Sequence, residues 1–246
     1  MYCIKFIHST IFCMGFLLQV NYSAVTAWHS SCNIECMKAA SFKIRKQRSK
    51  YHENIMAILD QANSTDYIDG ETWYKKARLD CYEISRKYSI SFRKTCAILS
   101  ALSPRNRWER NKKDLETIIM ECQGLIPYGK YGTYGNMVKK AKLIYFSKVD
   151  SIEMMLKLLN GPKIKSFFLN IYDYNSDCVT VDSWIQLIAL GEYLAVDKRP
   201  SLSKVDYNLI ANSIKLIAIE KNVSPPVLQA VLWTSFKRLT KEVEYN

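Results

Sequence analysis

The sequence predicts an all-α protein in which one compact multi-helix domain contains a helix-hairpin-helix. From residue 50 onward, apolar residues recur every three or four positions, which is the spacing of a helix face. No stretch keeps the two-residue alternation of a strand between hairpin turns. An apolar content of 48% with only eight Gly and six Pro indicates a folded core rather than a linker or a fibre. The chain shows no internal repeat or linker, so residues 51–246 are expected to form a single domain.

Ten predicted helices follow one another with short connections. Ser91 is placed to cap the third helix. Ser224 is placed to cap the last helix, where Pro225 and Pro226 fill a first turn whose N–H groups need no helical partner. The Asp-Gly-Glu sequence at 69–71 marks the start of the second helix. The predicted spans are 50–62, 71–88, 91–102, 108–122, 136–146, 151–160, 164–172, 182–193, 203–221 and 225–240.

Residues 1–36 are predicted to be an extension outside this domain. A mostly apolar run from Phe6 to Val20 is interrupted by polar residues and is too short to cross a bilayer. Two interpretations stay open: a weak secretory signal that ends before Trp28, or a dispensable extension. The second is preferred, so an intracellular location is expected and secretion is not.

The positive charge of the chain indicates a polyanionic partner. Lys and Arg number 35 against 23 Asp and Glu, a net charge of +12. Residues 37–50 carry six basic and no acidic side chains, and they form a predicted basic arm. Duplex DNA is favoured over a membrane because no strongly amphipathic basic helix is evident. A basic surface that serves only solubility is the alternative, and the protein is expected to be a monomer.

The inventory of reactive side chains excludes several familiar kinds of site. The chain has three His, all within the first 52 residues, so the domain lacks the parts of a Ser-His-Asp triad, a His-rich zinc site or a two-His iron site. The eight Cys show no Cys-x-x-Cys pair and are predicted to be reduced, and only two of them follow residue 100, too few for a four-thiolate cluster. No metal and no cofactor are therefore expected.

Three segments are candidates for function, and the first is a short polar turn after a buried helix. The helix ends at Ser103-Pro104, and the residues that follow are Arg105, Asn106, Arg107 and Trp108. Guanidinium, amide and indole groups on one turn are suited to contacts with DNA phosphates and bases. The alternative is a solvated helix start with Trp108 packed on the core.

The second candidate segment is a helical hairpin at residues 151–171. An apolar helix ends before the turn Asn160-Gly161-Pro162, and the next helix begins with Lys163 and Lys165. Backbone N–H groups at the start of that helix, together with the lysines, can hold a DNA phosphate. The pattern alone is also that of any helical hairpin that turns on Gly-Pro.

The third candidate segment, VTVDSWIQLIALG at residues 179–191, places Asp182 at the first turn of an apolar helix. Its ordinary explanation is an N-cap carboxylate that accepts backbone N–H bonds. In the last helix, Gln229 and Trp233 are weaker candidates for lining a pocket, since packing explains that helix. The tyrosines at 128, 131 and 134 could form a stacking loop or a turn resting on the core.

Taken in order, the strings ILSALSP, YGTYGNMVKKAKLI, LNGPK and VTVD resemble the helix-hairpin-helix-GPD superfamily of DNA glycosylases, of the endonuclease III type. The resemblance covers residues 90–193, and Lys163 and Lys165 precede Asp182 by nineteen and seventeen residues, near the separation in that family. The chain also resembles phage-type proteins that share the LSP, GPK, VTVD and QAVLW strings, a group that supplies no function.

The chain departs from the glycosylase pattern at several points. Its hairpin has one glycine where the family usually has two, Asp182 is followed by Ser-Trp rather than Thr-His, and Ser103-Pro104 replaces Ala-Gln. The cysteines that bind the endonuclease III cluster are absent. These departures leave the substrate open.

The resemblance implies a base-excision mechanism in which a base is flipped out of the duplex. Arg105, Asn106 or Trp108 would fill the gap, with Arg107 beside them, while Gly161 and Lys165 would hold the backbone.

The chemical step would fall to Asp182 and Lys163. Asp182 would stabilise an oxocarbenium-like sugar, and Lys163 as a neutral amine would attack C1′ to form a Schiff base, which permits strand cleavage as an AP lyase. Lys163 is preferred over Lys165, which lies about 200° around the helix, because it directly follows Gly-Pro. A monofunctional glycosylase that uses water, and a non-catalytic DNA-binding protein in which Asp182 is only a cap, are the alternatives.

Overall fold

The computed structural model describes residues 22–195 and 198–244, and side chains within 41–195 and 198–240. The described residues form ten α-helices and no strand, so the predicted all-α class is confirmed. None of these helices combines the length and hydropathy needed to cross a membrane. The helices are α1 Tyr22–Leu59, α2 Ser64–Lys87, α3 Phe92–Leu102, α4 Trp108–Cys122, α5 Gly135–Phe146, α6 Ile152–Leu158, α7 Pro162–Tyr172, α8 Ser183–Leu190, α9 Lys204–Glu220 and α10 Pro225–Glu244.

The beginning of α1 differs from the sequence prediction. The helix begins at Tyr22 rather than near residue 50, because the stretch from 22 to 59 contains neither Gly nor Pro to end it. The contacts within the chain divide it into two units, residues 1–46 and 47–246, with the division inside α1. The candidate site lies entirely in the second unit.

The start of α2 was also predicted wrongly. Asn63 caps the helix in a reciprocal capping box with Asp66. The helix therefore begins at Ser64, seven residues before the predicted start. Gly70 therefore lies inside the helix, where α10 approaches so closely that a Cβ would come within 2.4 Å of the Val231 side chain and 2.7 Å of its backbone nitrogen. The glycine reflects a close helix crossing rather than a helix start.

Two buried clusters form the interior of the second unit. Helices α2 to α7 surround the first, which includes Leu99, Ile118 and Phe168, all fully buried. The last turns of α1 pack with α8, α9 and α10 around the second cluster, which includes Ile185 and Ile214. Partly buried aromatic residues pack against each cluster.

The contact between α2 and α10 also includes a buried ion pair. The Asp66 carboxylate accepts hydrogen bonds from the Arg238 guanidinium at 2.7 and 3.1 Å and is only 4% exposed. Burial alone would raise the pKa of Asp66, but the bonds from Arg238 and from the Asn63 backbone outweigh it and hold the pKa below its ordinary value.

Candidate functional site

A cavity of about 410 Å³ opens among α2, α4, α7, α8 and α10. Its size falls in the usual range for sites that bind small organic ligands. Its lining comes from both buried clusters. Trp108 and Phe167 lie at the first cluster, and Trp184 and Trp233 at the second. The helices of both clusters thus contribute to one cavity.

Aromatic rings make up much of the cavity wall. Trp73 lines the cavity, and its ring centroid lies 5.2 Å from that of Trp108, 5.9 Å from Phe167 and 6.0 Å from Trp233. Rings of this size provide flat apolar surface on which a planar ligand can stack. The wall is therefore suited to an aromatic heterocycle.

Lys163 reaches the cavity from the first turn of α7. Gly161 precedes the helix at a φ of 79°, a left-handed conformation that favours glycine, and Pro162 occupies the first helical position. The helix thus begins two residues earlier than predicted, and Lys163 is its second residue. Within the described part of the chain, the Lys163 ammonium has no hydrogen-bond or ion-pair partner.

Asp182 lines the same cavity and is the N-cap of α8, as the sequence predicts. Its Oδ1 accepts the backbone N–H groups of Trp184 at 3.0 Å and Ile185 at 2.9 Å. Its Oδ2 has no hydrogen-bond partner among the described residues. Capping therefore occupies one carboxylate oxygen and leaves the other available to a ligand.

The turn between α3 and α4 carries four residues predicted to contact DNA, and three of them line the cavity. Asn106, Arg107 and Trp108 line it, whereas Arg105 does not. Arg105 has a φ of 57°, and its guanidinium lies over the Tyr134 ring at 5.3 Å. The Trp108 ring packs beside Trp73, so it forms part of the wall, as in the alternative interpretation of this residue.

Asp114, which no sequence pattern singled out, fixes this turn. Its side chain is almost completely buried and accepts hydrogen bonds from Asn106 Nδ2 at 2.8 Å, Arg110 Nε at 2.7 Å and the Gly132 backbone N–H at 2.7 Å. Asn106 is consequently held within the protein. The tyrosine-containing loop before α5 is attached to the same carboxylate through Gly132.

Positive charge predominates around the cavity. Arg107, Lys163 and Lys237 line it, against the single carboxylate of Asp182. The Lys237 ammonium lies 4.1 Å from the centroid of the Trp233 ring. This balance favours an anionic or phosphate-bearing ligand at or near the opening.

Gly161 and Lys165, which are predicted to contact the DNA backbone, do not line the cavity. Burial and the charge of Lys165 together lower the pKa of Lys140 of α5. Of the two lysines at the start of α7, only Lys163 lines the cavity.

A network of polar side chains closes one side of the cavity. Tyr74 Oη donates to Gln229 Oε1 at 2.7 Å and lies 3.2 Å from Thr180 Oγ1, while Asn170 Nδ2 donates to Tyr74 Oη at 3.3 Å. Burial raises the pKa of Tyr74 well above its ordinary value, and the charge of Asp182 adds to the rise. Tyr74 is therefore a neutral phenol at physiological pH.

Asn111 of α4 also lines the cavity and is 2% exposed. Its Nδ2 donates to the Leu99 carbonyl at 3.1 Å. Among the described residues, its Oδ1 is the one buried side-chain polar atom without a hydrogen-bond partner.

The described side chains include no group of three or more His, Cys, Asp or Glu arranged to hold a metal ion.

Comparison with known proteins identifies a family by sequence. No curated protein and no solved structure matches the chain. A family model described as "Family of unknown function (DUF7178)" matches residues 37–240, which is most of the chain and includes every residue of the cavity. The chain therefore belongs to the DUF7178 family.

Proposed function

We propose that this protein has a glycosylase-like helix-hairpin-helix fold, binds duplex DNA and excises a base from it. The observation that carries the proposal is that Lys163 and Asp182 line one cavity of about 410 Å³. These are the two residues to which the resemblance assigns the roles of nucleophile and electrostatic stabiliser.

The aromatic wall supports a nucleobase as the ligand of the cavity. A base inside a duplex is unreachable, so an enzyme that acts on it must turn it into a pocket, at a cost of a few kcal/mol. Stacking on residues such as Trp73 and Trp233 would offset part of that cost. Arg107 and Lys237 at the cavity, together with Lys165 on the first turns of α7, would contact the flanking phosphates.

The proposed reaction begins when the bond between C1′ and the base nitrogen breaks and its electron pair leaves with the base. Positive charge then develops on the sugar, and the unpartnered Oδ2 of Asp182 stabilises it. The Lys163 ammonium first gives a proton to solvent, and its Nζ then forms the new bond at C1′ and releases a second proton. The bond between C1′ and the ring oxygen breaks as that oxygen takes a proton from solvent, which gives a protonated Schiff base. Loss of a proton from C2′ to water then forms a C2′=C3′ double bond as the bond between C3′ and its oxygen breaks and the phosphate leaves.

Borohydride trapping tests this proposal. The full chain is mixed with a duplex containing an abasic site, reduced, and separated on a denaturing gel beside Lys163→Ala and Lys165→Ala. The two lysines share one helix turn, so Lys165→Ala is the matched control. A covalent band that Lys165→Ala keeps and Lys163→Ala loses supports Schiff-base chemistry at Lys163. A band that persists in Lys163→Ala contradicts that assignment.

A second candidate function is non-catalytic DNA binding. The observation that favours it is the ordinary capping geometry of Asp182, which explains this carboxylate without any reaction. Retained DNA binding with no trapped band and no base release would support this alternative over base excision.

A further inference from the structure

A chain of hydrogen bonds leads from the backbone near the end of α7 to the cavity. It begins at the Cys178 N–H, which donates to Ser176 Oγ at 3.2 Å. Ser176 Oγ in turn donates to Asn170 Oδ1 at 2.7 Å. Because a backbone N–H can only donate, the hydroxyl proton of Ser176 remains available for Asn170. Ser176 donates this proton to Oδ1, so the amide of Asn170 has its oxygen toward Ser176.

This orientation makes Asn170 Nδ2 the donor to the next members of the chain. It lies 3.3 Å from Tyr74 Oη and 3.2 Å from Thr180 Oγ1. Tyr74 Oη accepts this bond and has one proton of its own to donate. Its shortest contact is Gln229 Oε1 at 2.7 Å, a usual O–H···O distance and shorter than most amide N–H···O bonds. The carboxamide oxygen of Gln229 is thereby committed to Tyr74.

The other end of the Gln229 carboxamide is a donor. Gln229 lines the cavity and is 6% exposed, and its Nε2 has no hydrogen-bond partner in the described part of the chain. We propose that Ser176, Asn170 and Tyr74 act as positioning residues that make Gln229 present an N–H donor to the cavity. The cavity then selects planar heterocycles with an acceptor, a carbonyl oxygen or an unprotonated ring nitrogen, at that edge.

The cavity's selectivity among ligands follows from the hydrogen-bonding groups that each ligand leaves unpaired. A ligand acceptor at Gln229 gains one hydrogen bond, whereas a ligand N–H at the same place leaves two buried donors facing each other. Rotating the Gln229 carboxamide by 180° to present its oxygen to the ligand would break the hydrogen bond from Tyr74, so the rotated form has the higher energy. This inference rests on the proposed function for its ligand class, a nucleobase-like ring, but not on DNA binding or base release.

The test uses two bicyclic heterocycles of similar size, quinoline, which offers only an acceptor, and indole, which offers only a donor. Each is titrated into the ¹⁵N-labelled full chain, and its Kd is measured by NMR from shifts of the tryptophan side-chain signals. We expect quinoline to bind about three- to tenfold more tightly than indole, as one hydrogen bond provides. Gln229→Glu, which replaces the donor with an acceptor, should reverse the preference.

Variants away from the cavity separate positioning from direct contact. Ser176 does not line the cavity, yet Ser176→Ala should bring the quinoline-to-indole ratio close to one, while Ser176→Thr, which keeps the hydroxyl, should preserve it. Tyr74→Phe should have the same effect as Ser176→Ala, with Tyr67→Phe on the exposed face of α2 as its matched control.

Three results would overturn the inference: no preference for quinoline in the unmodified protein, an unchanged ratio in folded Ser176→Ala, or failure of the heterocycles to bind. Since neither probe requires DNA, a preserved preference without a borohydride-trapped band would contradict only the Schiff base at Lys163. A trapped band with no preference would contradict only the assignment of the Gln229 donor.

Discussion

At the scale of single residues, Asp182 has two tasks that a substitution can separate. Oδ1 caps α8 through two backbone N–H groups, and Oδ2 is unpartnered at the cavity. Asparagine caps helices about as well as aspartate but has no charge. Asp182→Asn should therefore keep the thermal midpoint and the DNA affinity, while single-turnover base release falls about 100-fold or more.

The control for this prediction is Asp182→Ala, which removes the cap as well and should lower the free energy of unfolding by about 1 kcal/mol. Base release by Asp182→Asn at the original rate would mean that the carboxylate is only a cap. The non-catalytic alternative would then be the better account of the site.

Residue-scale contacts also show where sequence reasoning reaches its limit. Lys163 and Asp182 were predicted and line one cavity, because local motifs place each of them at a helix start. Tyr74 could not be predicted, since its partner Gln229 is 155 residues away and no periodicity links them. Asp114 was missed because a carboxylate within an amphipathic helix has the pattern of a solvent-facing residue until its partners are known.

At the scale of helices, local sequence signals predicted some boundaries and missed others. The predicted span 108–122 coincides with α4, because the turn that contains Pro104 separates it from α3 and apolar periodicity resumes at once. The start of α2 was misplaced because Gly70 has the same sequence appearance at a helix start and at a helix crossing. The Asn63–Asp66 capping box marks the true start locally, and the close approach of α10, a tertiary contact, explains why a glycine stands at position 70.

The crossing of α2 and α10 yields a prediction that runs against helix propensity. Alanine favours helices over glycine by about 1 kcal/mol, yet a Cβ at Gly70 would lie 2.4 to 2.9 Å from atoms of Val231, two of them in the backbone. Gly70→Ala should therefore lower the free energy of unfolding by about 1 to 3 kcal/mol. Urea unfolding followed by circular dichroism measures the change.

Gly135→Ala is the matched control for Gly70→Ala. Gly135 is the first residue of α5, and a Cβ there would meet nothing within 4 Å. We expect its free energy of unfolding to stay unchanged or to rise by up to about 1 kcal/mol. Equal effects of the two substitutions would contradict the close crossing of α2 and α10.

At the scale of the whole molecule, the two buried clusters account for the position of the cavity. Helices around the first cluster supply Lys163 and Trp108, and helices around the second supply Trp184 and Gln229. Neither cluster alone contains the complete lining. Asp182 and Lys163 are therefore kept together by the packing of one cluster against the other, and their geometry should be lost when that packing is lost.

The charge of the whole chain provides the broadest prediction. A net charge of +12 and a cavity lined by three cations favour contacts with DNA phosphates, and each neutralised phosphate releases counterions. With about four such contacts, duplex affinity should fall about 100-fold between 50 and 200 mM salt. Fluorescence anisotropy measures the slope of log K against log salt. Lys165→Ala should make the slope shallower by about one, whereas Lys221→Ala, an exposed lysine after α9, should leave it unchanged. An affinity that does not change with salt would contradict every nucleic-acid function proposed for this protein, including base excision.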